Sequence, residues 1–143
     1  MVAVRIGPEM RMAVVGAPSY FARRPPPRAP QDLTKHSCIN LRLPTSGALY
    51  AWELEKGRRE LKVRVDGPLV FNTSPLVLKA ALAGFGLACM FEDQVRAHIE
   101  DGRLVRVLLD WCPPFAGYHL YYPSRRQPTP AFTLLVGALR YRT

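Results

Sequence analysis

Two short polar segments carry the residues of this chain that are best suited to binding a small anion. The first is Asn72-Thr73-Ser74, which precedes Pro75 and an apolar run that predicts a helix. The N–H groups at a helix start have no partner within the helix, and two neighbouring hydroxyls add donors, so a carboxylate could be held there. The alternative is simple helix capping, which every helix needs.

The second segment is Arg42–Gly47, which lies at the end of an apolar run, Cys38–Leu43, that predicts a strand. Thr45 and Ser46 in this segment could donate hydrogen bonds to an anion. The alternative is an exposed surface loop, and the residues alone support both interpretations equally.

No pattern in the chain predicts catalysis or a metal site. The sequence has no nucleophile elbow, HExxH, P-loop or carboxylate cluster. His36 and Cys38 lie two residues apart, but no second pair stands at ligand spacing. Gly84-Phe85-Gly86 closes a predicted helix and opens a strand, whereas a dinucleotide fingerprint follows a strand and opens a helix. We therefore predict a protein that is not an enzyme and needs no metal or cofactor.

Composition indicates one basic domain that has no membrane span. Of 20 Lys and Arg residues in the 143-residue chain, twelve lie in residues 1–64, against five of the 11 acidic residues. This excess suits an anionic partner, nucleic acid included, although an arginine-rich solvated surface is the simpler interpretation. The three cysteines form no CxxC and are expected to be buried free thiols. No apolar run approaches the ~20 residues of a membrane span, and no signal peptide is evident, so we expect a cytoplasmic location.

The predicted elements alternate between strands and helices, which is typical of a mostly parallel α/β sheet. Ser74 fits a helix N-cap and Gly84 the position just after that helix. A buried strand over 86–90 and a helix over 92–100 follow. The chain opens with two predicted strands joined by a Gly7-Pro8 turn, and it closes with a strand over 118–122, a proline-rich turn and a helix over 131–141.

Several segments, in this order and spacing, resemble LysR-type transcriptional regulators, and the similarity extends over essentially the whole chain. They are Val2–Gly7, Met10–Phe21, Asp32-Leu33, Cys38-Ile39, Ala83–Ala88, Asp101–Val105 and the ending Tyr122–Phe132. The resemblance implies an effector-binding domain with an α/β fold like the type 2 periplasmic-binding proteins. Such a domain has two lobes with mixed sheets, two crossing strands and a small molecule in the cleft between the lobes.

On this resemblance, lobe one comprises residues 1–30 and 117–143 and is incomplete, since its opening units have no counterpart here. Residues 31–116 form lobe two. The family's cleft is lined by strand ends and helix starts. The resemblance therefore implies that the effector contacts Arg42, Thr45, Ser46, Asn72, Thr73 and Ser74. Where the family often has Leu-Pro, this chain has Met90-Phe91, so Phe91 is expected to narrow the cleft.

The leading hypothesis is a sensing domain in which lobe closure on a small anionic effector changes the arrangement of subunits and hence DNA contact. DNA would be contacted only through a helix-turn-helix domain that lies upstream in the family and is absent here. Two alternatives remain: a dimerisation or interaction module without its own ligand, and a non-specific nucleic-acid binder that uses the basic first half. Apolar surface left exposed on the incomplete lobe is expected to favour dimers or higher assemblies.

Overall fold

The computed structural model describes residues 1–123 and 129–142. Its elements, in chain order, are β1 (Val2–Arg5), β2 (Met12–Gly16), α1 (Pro18–Phe21), a 3-10 helix (Pro30–Lys35), β3 (Asn40–Leu41), β4 (Trp52–Lys56), β5 (Arg59–Val63), β6 (Val70–Phe71), α2 (Ser74–Leu82), β7 (Ala88–Phe91), α3 (Glu92–Glu100), β8 (Val105–Val107), a second 3-10 helix (Leu109–Trp111), β9 (His119–Tyr122) and α4 (Pro130–Leu139). Within the described residues, no helix has the length and apolar character that crossing a membrane requires.

The contacts divide the chain into two compact units. Unit 1 consists of Met1–Met10 and Pro114–Thr143, and unit 2 of Arg11–Pro113. This division assigns residues 11–30 to unit 2, because β2 within this stretch forms its strand pairs with β7 and β8. The lobe boundaries implied by the family resemblance, 1–30 with 117–143 and 31–116, stay a prediction.

The sheet of unit 2 is mixed. β3 pairs with β6 in parallel. It is joined in parallel to the start of β7, where the Ile39 N–H donates to the Leu87 carbonyl at 2.8 Å and the Leu87 N–H donates to the Ser37 carbonyl at 2.9 Å. β2 lies antiparallel between β7 and β8. The strand order is therefore β6-β3-β7-β2-β8, and β2 is the strand of this set that runs in the opposite direction.

Two buried clusters lie on opposite faces of this sheet, because successive side chains of a strand point to opposite faces. Ala13 and Val15 of β2 belong to the cluster beneath α2 and α3. Val14 belongs to the other cluster, with Trp52 and Trp111. That second face is covered by α1, the first 3-10 helix and the antiparallel β4–β5 hairpin. Unit 2 therefore has three layers and a core on both sides of the sheet.

Unit 1 is built from the two ends of the chain. β1 pairs antiparallel with β9, from Val2 with Tyr122 to Arg5 with His119. The ring of Tyr122 meets that of Phe132 on α4 edge to face at 5.1 Å. The predicted closing strand and helix are present, while residues 124–128 of the proline-rich turn lie outside the described residues.

One local prediction is confirmed and one is wrong. The two opening strands are present on either side of Gly7-Pro8, although they do not pair with each other: β1 pairs with β9, and β2 pairs with β7 and β8. Ser74 is not the N-cap of α2, because it is already helical, and Thr73 holds the extended conformation of a cap with φ −136° and ψ 144°. Strand pairing is decided by residues distant in sequence, so the residues between two strands do not show with which strands they pair.

Gly67 lies so close to β3 that no side chain fits there. A Cβ atom at this position would lie 2.1 Å from the Cys38 carbonyl oxygen, a backbone atom that cannot move aside on its own. We expect Gly67→Ala to lower the free energy of unfolding of unit 2 by about 2 kcal/mol, the usual scale of overpacking. Urea unfolding followed by the fluorescence of Trp52 and Trp111, both in unit 2, measures the change.

The matched control is Asp66→Ala, which alters an exposed side chain of the same backbone stretch. It should shift the free energy of unfolding by less than about 0.5 kcal/mol. Equal effects of the two substitutions would show that the close approach of Gly67 to Cys38 does not constrain the fold.

Candidate functional site

The predicted binding residues gather at one edge of the unit 2 sheet. In the parallel pairing of β3 with β6, Leu41 stands beside Phe71, and the Arg42 N–H donates to the Phe71 carbonyl at 2.7 Å. Arg42 and Asn72 therefore follow neighbouring strands at the same end. β7 runs parallel to β3 and ends at Phe91, so its carboxyl end lies at this edge too.

We call this set the candidate edge. It consists of all seven predicted binding residues: Arg42, Thr45, Ser46, Asn72, Thr73, Ser74 and Phe91. Both α2 and α3 begin at the candidate edge, since each helix follows the strand that ends there. The partial positive charge of two helix N-termini is thereby directed to the same part of unit 2.

The loop after β3 is closed by its own hydrogen bonds. Gly47, with φ +73°, donates its N–H to the Leu43 carbonyl at 2.8 Å, and the Arg42 Nη1 donates to the Gly47 carbonyl at 2.6 Å. The Ser46 Oγ accepts from the Ala48 N–H at 3.3 Å. Thr45 and Ser46 are exposed. One of the five guanidinium N–H groups thus fixes the arginine to its loop, while a guanidinium has further donors for a ligand.

The start of α2 is not capped by its N-cap side chain. Thr73 occupies the N-cap without a side-chain hydrogen bond to the helix, and its carbonyl accepts from the Val77 N–H at 3.4 Å. Asn72 and Thr73 are exposed, and Ser74 is half-buried. The capping alternative therefore does not account for the Thr73 hydroxyl.

Phe91 is the N-cap of α3, and its side chain is 37% exposed. The next residue, Glu92, donates its N–H to the Arg11 carbonyl at 2.8 Å, which fixes the start of α3 against the segment that leads into β2. An aromatic ring held at the candidate edge offers an apolar surface beside the polar groups of the other two strand ends.

An ion pair that sequence reasoning missed holds the start of α3. Arg106 on β8 binds the Glu92 carboxylate through Nη1 and the Met12 carbonyl through Nη2 at 2.7 Å. Arg96 binds the other oxygen of Glu92 at 3.1 Å. The hydrogen bond from Arg106 lowers the pKa of Glu92, and Arg96 lowers it further. The acidic first turn of α3 is visible in the sequence, but no pattern indicates its partner fourteen residues later.

The three thiols and His36 do not form a reactive or metal-binding site. Burial raises the pKa of Cys38 to about 12, and burial also raises the pKa values of Cys89 and Cys112. These thiols are therefore protonated at neutral pH, and the thiolate is the reactive form. The His36 Nδ1 lies 2.6 Å from the Tyr20 hydroxyl. In the described part of the chain, no group of three or more His, Cys, Asp or Glu residues is placed to hold a metal ion.

Comparison with known proteins shows the family of the chain. The family model for the LysR substrate binding domain matches residues 1–143. The chain belongs to this family. Its members are parts of transcriptional regulators rather than enzymes, so the predicted family and the predicted absence of an enzymatic function are both confirmed.

Two relatives show how the chain compares in length with other members of the family. This chain is 60% identical over 141 residues to a Pseudomonas aeruginosa protein described as a transcriptional regulator. The match covers 99% of this chain and 46% of the relative. The chain is 47% identical over 142 residues to the HTH-type transcriptional regulator PgrR of Escherichia coli, with coverage of 99% and 48%. The chain therefore spans about half the length of these relatives.

Solved structures confirm the mixed α/β regulatory-domain fold. Full-length AphB of Vibrio cholerae, a virulence activator of the LysR-type family, matches with a TM-score of 0.75 and 26% identity over 97% of this chain and 46% of that one. The regulatory domain of CrgA from Neisseria meningitidis matches with a TM-score of 0.68 at 19% identity, over 96% of this chain and 67% of that one, which shows the fold alone.

The Glu92–Arg106 pair gives unit 2 a defined response to acid. The pKa of Glu92 in the folded protein is lower than the ordinary pKa of a glutamate. The ion pair therefore contributes its full stabilisation at pH values above the ordinary pKa. This stabilisation is lost as the pH falls through the lowered pKa. We expect Glu92→Gln to lower the free energy of unfolding by about 1–3 kcal/mol near pH 7, because Arg106 is 14% exposed and loses its partner. The deficit relative to the unaltered protein should shrink at about pH 3. Urea unfolding at both pH values, followed by tryptophan fluorescence, measures it.

Asp101→Asn is the control for this substitution, since Asp101 pairs with Arg103 at 2.9 Å and both side chains are more than half exposed. It should change the free energy of unfolding by less than about 0.5 kcal/mol at either pH. A pH-independent deficit in Glu92→Gln would mean that lost packing, and not the ion pair, causes the effect.

Proposed function

We propose that this chain is the effector-sensing part of a bacterial LysR-type transcriptional regulator and that a small anionic effector binds at the candidate edge. The observation that supports this site most strongly is the convergence of three strand ends and two helix starts at one edge. In open α/β sheets, ligands bind beyond the carboxyl ends of the strands, where helix N-termini point outward.

The chemistry of the candidate edge favours a carboxylate with an apolar part. Arg42 brings a guanidinium, which matches a carboxylate in shape and charge. Hydroxyl and amide donors come from Thr45, Ser46, Asn72, Thr73 and Ser74. Phe91 offers an apolar face for the rest of the molecule. Glu92 adds a negative charge nearby, but Arg96 and Arg106 both bind its carboxylate, so its repulsion of an anion is reduced.

In the regulator, binding energy would act on an equilibrium between arrangements of subunits. An effector that binds one arrangement more tightly shifts the population toward it, by as much as its difference in affinity between the two. We propose that DNA is contacted through a helix-turn-helix domain in another part of the regulator, consistent with the naming of PgrR as an HTH-type regulator. We propose a cytoplasmic location, where such regulators meet DNA.

Exposed apolar side chains of unit 1 support self-association, the second function considered. On α4, Leu134 is 75% exposed and Leu135 is 50% exposed, and Tyr121 on β9 is 64% exposed. Exposed large apolar side chains on one helix are typical of a surface that contacts another chain. We propose that the isolated chain forms dimers or larger assemblies through α4, whether or not it binds an effector.

The effector site can be tested with the double variant Thr73→Ala/Ser74→Ala. A carboxylate that binds the folded chain at about 100 times its dissociation constant adds about 2.7 kcal/mol of stability, which raises the melting temperature by several degrees. A panel of aromatic and aliphatic carboxylates, screened by calorimetry, should contain such a ligand. The double variant should lose the shift because it removes two donors at the start of α2.

Thr133→Ala is the matched control, since it removes an exposed hydroxyl from α4 in unit 1 and should leave the shift unchanged. A shift that survives Thr73→Ala/Ser74→Ala places the effector elsewhere on the chain. If no carboxylate in the panel raises the melting temperature, the sensing proposal is contradicted and the interaction module is favoured.

Self-association can be tested with Leu134→Gln/Leu135→Gln. We expect light scattering to show a dimer or larger species for the unaltered chain and a smaller species for the double variant, because two exposed apolar side chains are lost from α4. Binding of a hydrophobic dye should fall in parallel. Leu109→Gln, at a residue that is 52% exposed in unit 2, is the control and should change neither measurement. A monodisperse monomer without dye binding would contradict this proposal.

A further inference from the structure

A concave site away from the candidate edge lies in unit 2, on the proline-rich segment that joins α1 to the first 3-10 helix. Its cavity has a volume of about 370 Å³. Eight residues line it: Arg24, Pro25, Pro26, Pro27, Arg28, Asp32, Lys35 and His36. The volume falls within the range of small-molecule sites.

The backbone of this proline pocket is held in place before any ligand arrives. The Asp32 Oδ2 accepts from the N–H groups of Arg28 and Ala29 at 3.0 and 3.1 Å, which ties the extended segment to the 3-10 helix. The Arg24 Nη1 donates to the Lys35 carbonyl at 2.5 Å across the pocket. Three consecutive prolines have fixed φ angles, so little chain entropy is lost when a ligand binds.

The charge of the proline pocket is positive. Arg24, Arg28 and Lys35 contribute three positive charges, and Asp32 contributes one negative charge, which leaves two positive charges when His36 is neutral. The Asp32 carboxylate is already bound to two backbone N–H groups, and these bonds lower its pKa. A dianion therefore matches the pocket in charge, and guanidinium groups match phosphate oxygens in geometry.

His36 is oriented by Tyr20, a buried residue of α1. The Tyr20 hydroxyl accepts from the Ser37 N–H at 3.2 Å and lies 2.6 Å from the His36 Nδ1. Burial and the nearby Arg24 lower the pKa of His36, so the ring is neutral at neutral pH. Where the Tyr20 hydroxyl donates its hydrogen to Nδ1, the proton of the neutral imidazole lies on Nε2, which is then a donor.

We propose that the proline pocket binds a small organic phosphate whose apolar group lies on the prolines and whose phosphate meets Arg24, Arg28, Lys35 and His36. The pyrrolidine rings of Pro25 and Pro26 supply an exposed apolar surface, and the basic side chains surround it. This site shares no residue with the candidate edge. The regulator would therefore respond to two different ligands of unit 2.

The test uses phenyl phosphate as the probe and inorganic phosphate as its comparison, with the full chain labelled with ¹⁵N. We expect phenyl phosphate to shift the amide signals of Lys35, His36 and Ser37 in a saturable way. Inorganic phosphate should bind there more weakly, because it lacks the ring that covers the prolines. Saturation of signals around Arg42 and Asn72 instead, or equal affinities for the two probes, would overturn the proposal.

Two double variants separate local recognition from general attraction. Arg28→Gln/Lys35→Gln removes two charges from the proline pocket and should weaken phenyl phosphate binding about tenfold, or about 1.4 kcal/mol. Arg58→Gln/Lys62→Gln removes two exposed charges from the β4–β5 hairpin and should weaken it less than about twofold, since distant charges are screened by salt. Equal weakening in both variants would show that net charge alone attracts the probe.

Thr73→Ala/Ser74→Ala distinguishes this proposal from the effector site. Phenyl phosphate should shift the signals of Lys35 and His36 equally in this variant and in the unaltered chain. If the shifts disappear in Thr73→Ala/Ser74→Ala, the probe binds at the candidate edge and the proline pocket is not a separate site. Spectra of both charge variants that match the unaltered chain away from the substitutions confirm that they remain folded.

Discussion

The rest of unit 2 depends on one constraint, the parallel pairing of β3 with its two neighbours. These neighbours are β6 on one side and β7 on the other. This pairing brings the ends of three strands, separated by up to fifty residues in the chain, to a single edge of the sheet. It also places the starts of α2 and α3 at that edge, since each helix follows directly from its strand. The parallel pairing requires the backbone of neighbouring segments to pack closely against Ser37 and Cys38. Gly67 lies against the Cys38 carbonyl and Gly86 against the Ser37 carbonyl, and both fit because glycine has no Cβ atom.

Two carboxylates of unit 2 are held by hydrogen bonds at places where the chain changes from one element to the next. Glu92, at the start of α3, is held by Arg96 and Arg106. Asp32 is held by backbone N–H groups of the proline segment. The Glu92 carboxylate joins α3 to β8 through side chains, while the Asp32 carboxylate fixes the backbone of the proline segment. The net charge of +9 leaves an excess of basic side chains, and the two proposed anion sites both draw on this excess.

Sequence reasoning was accurate where the signal is local and failed where partners are distant. The helix over 92–100 was predicted to its exact bounds, because acidic residues begin it and Gly102 follows its end. The family resemblance rested on short segments spread along the chain, and the family match confirms it. The two opening strands were predicted, but their pairing was not, because β1 and β2 pair with strands more than 70 residues away. The Glu92–Arg106 pair was missed because no spacing rule relates a helix start to the second strand of a crossover.

The sequence by itself determined the family, the alternation of strands and helices in unit 2 and the polar character of the segments that end β3 and β6. These depend on residue types and on hydrophobic periodicity, which can be read within a window of a few residues. Only the tertiary structure decided that those segments share one edge, that Thr73 rather than Ser74 is the N-cap of α2, and that the proline segment folds over Asp32 into a basic pocket. The physical reason is that strand register and loop closure depend on hydrogen bonds between residues far apart in the chain, which no local pattern specifies.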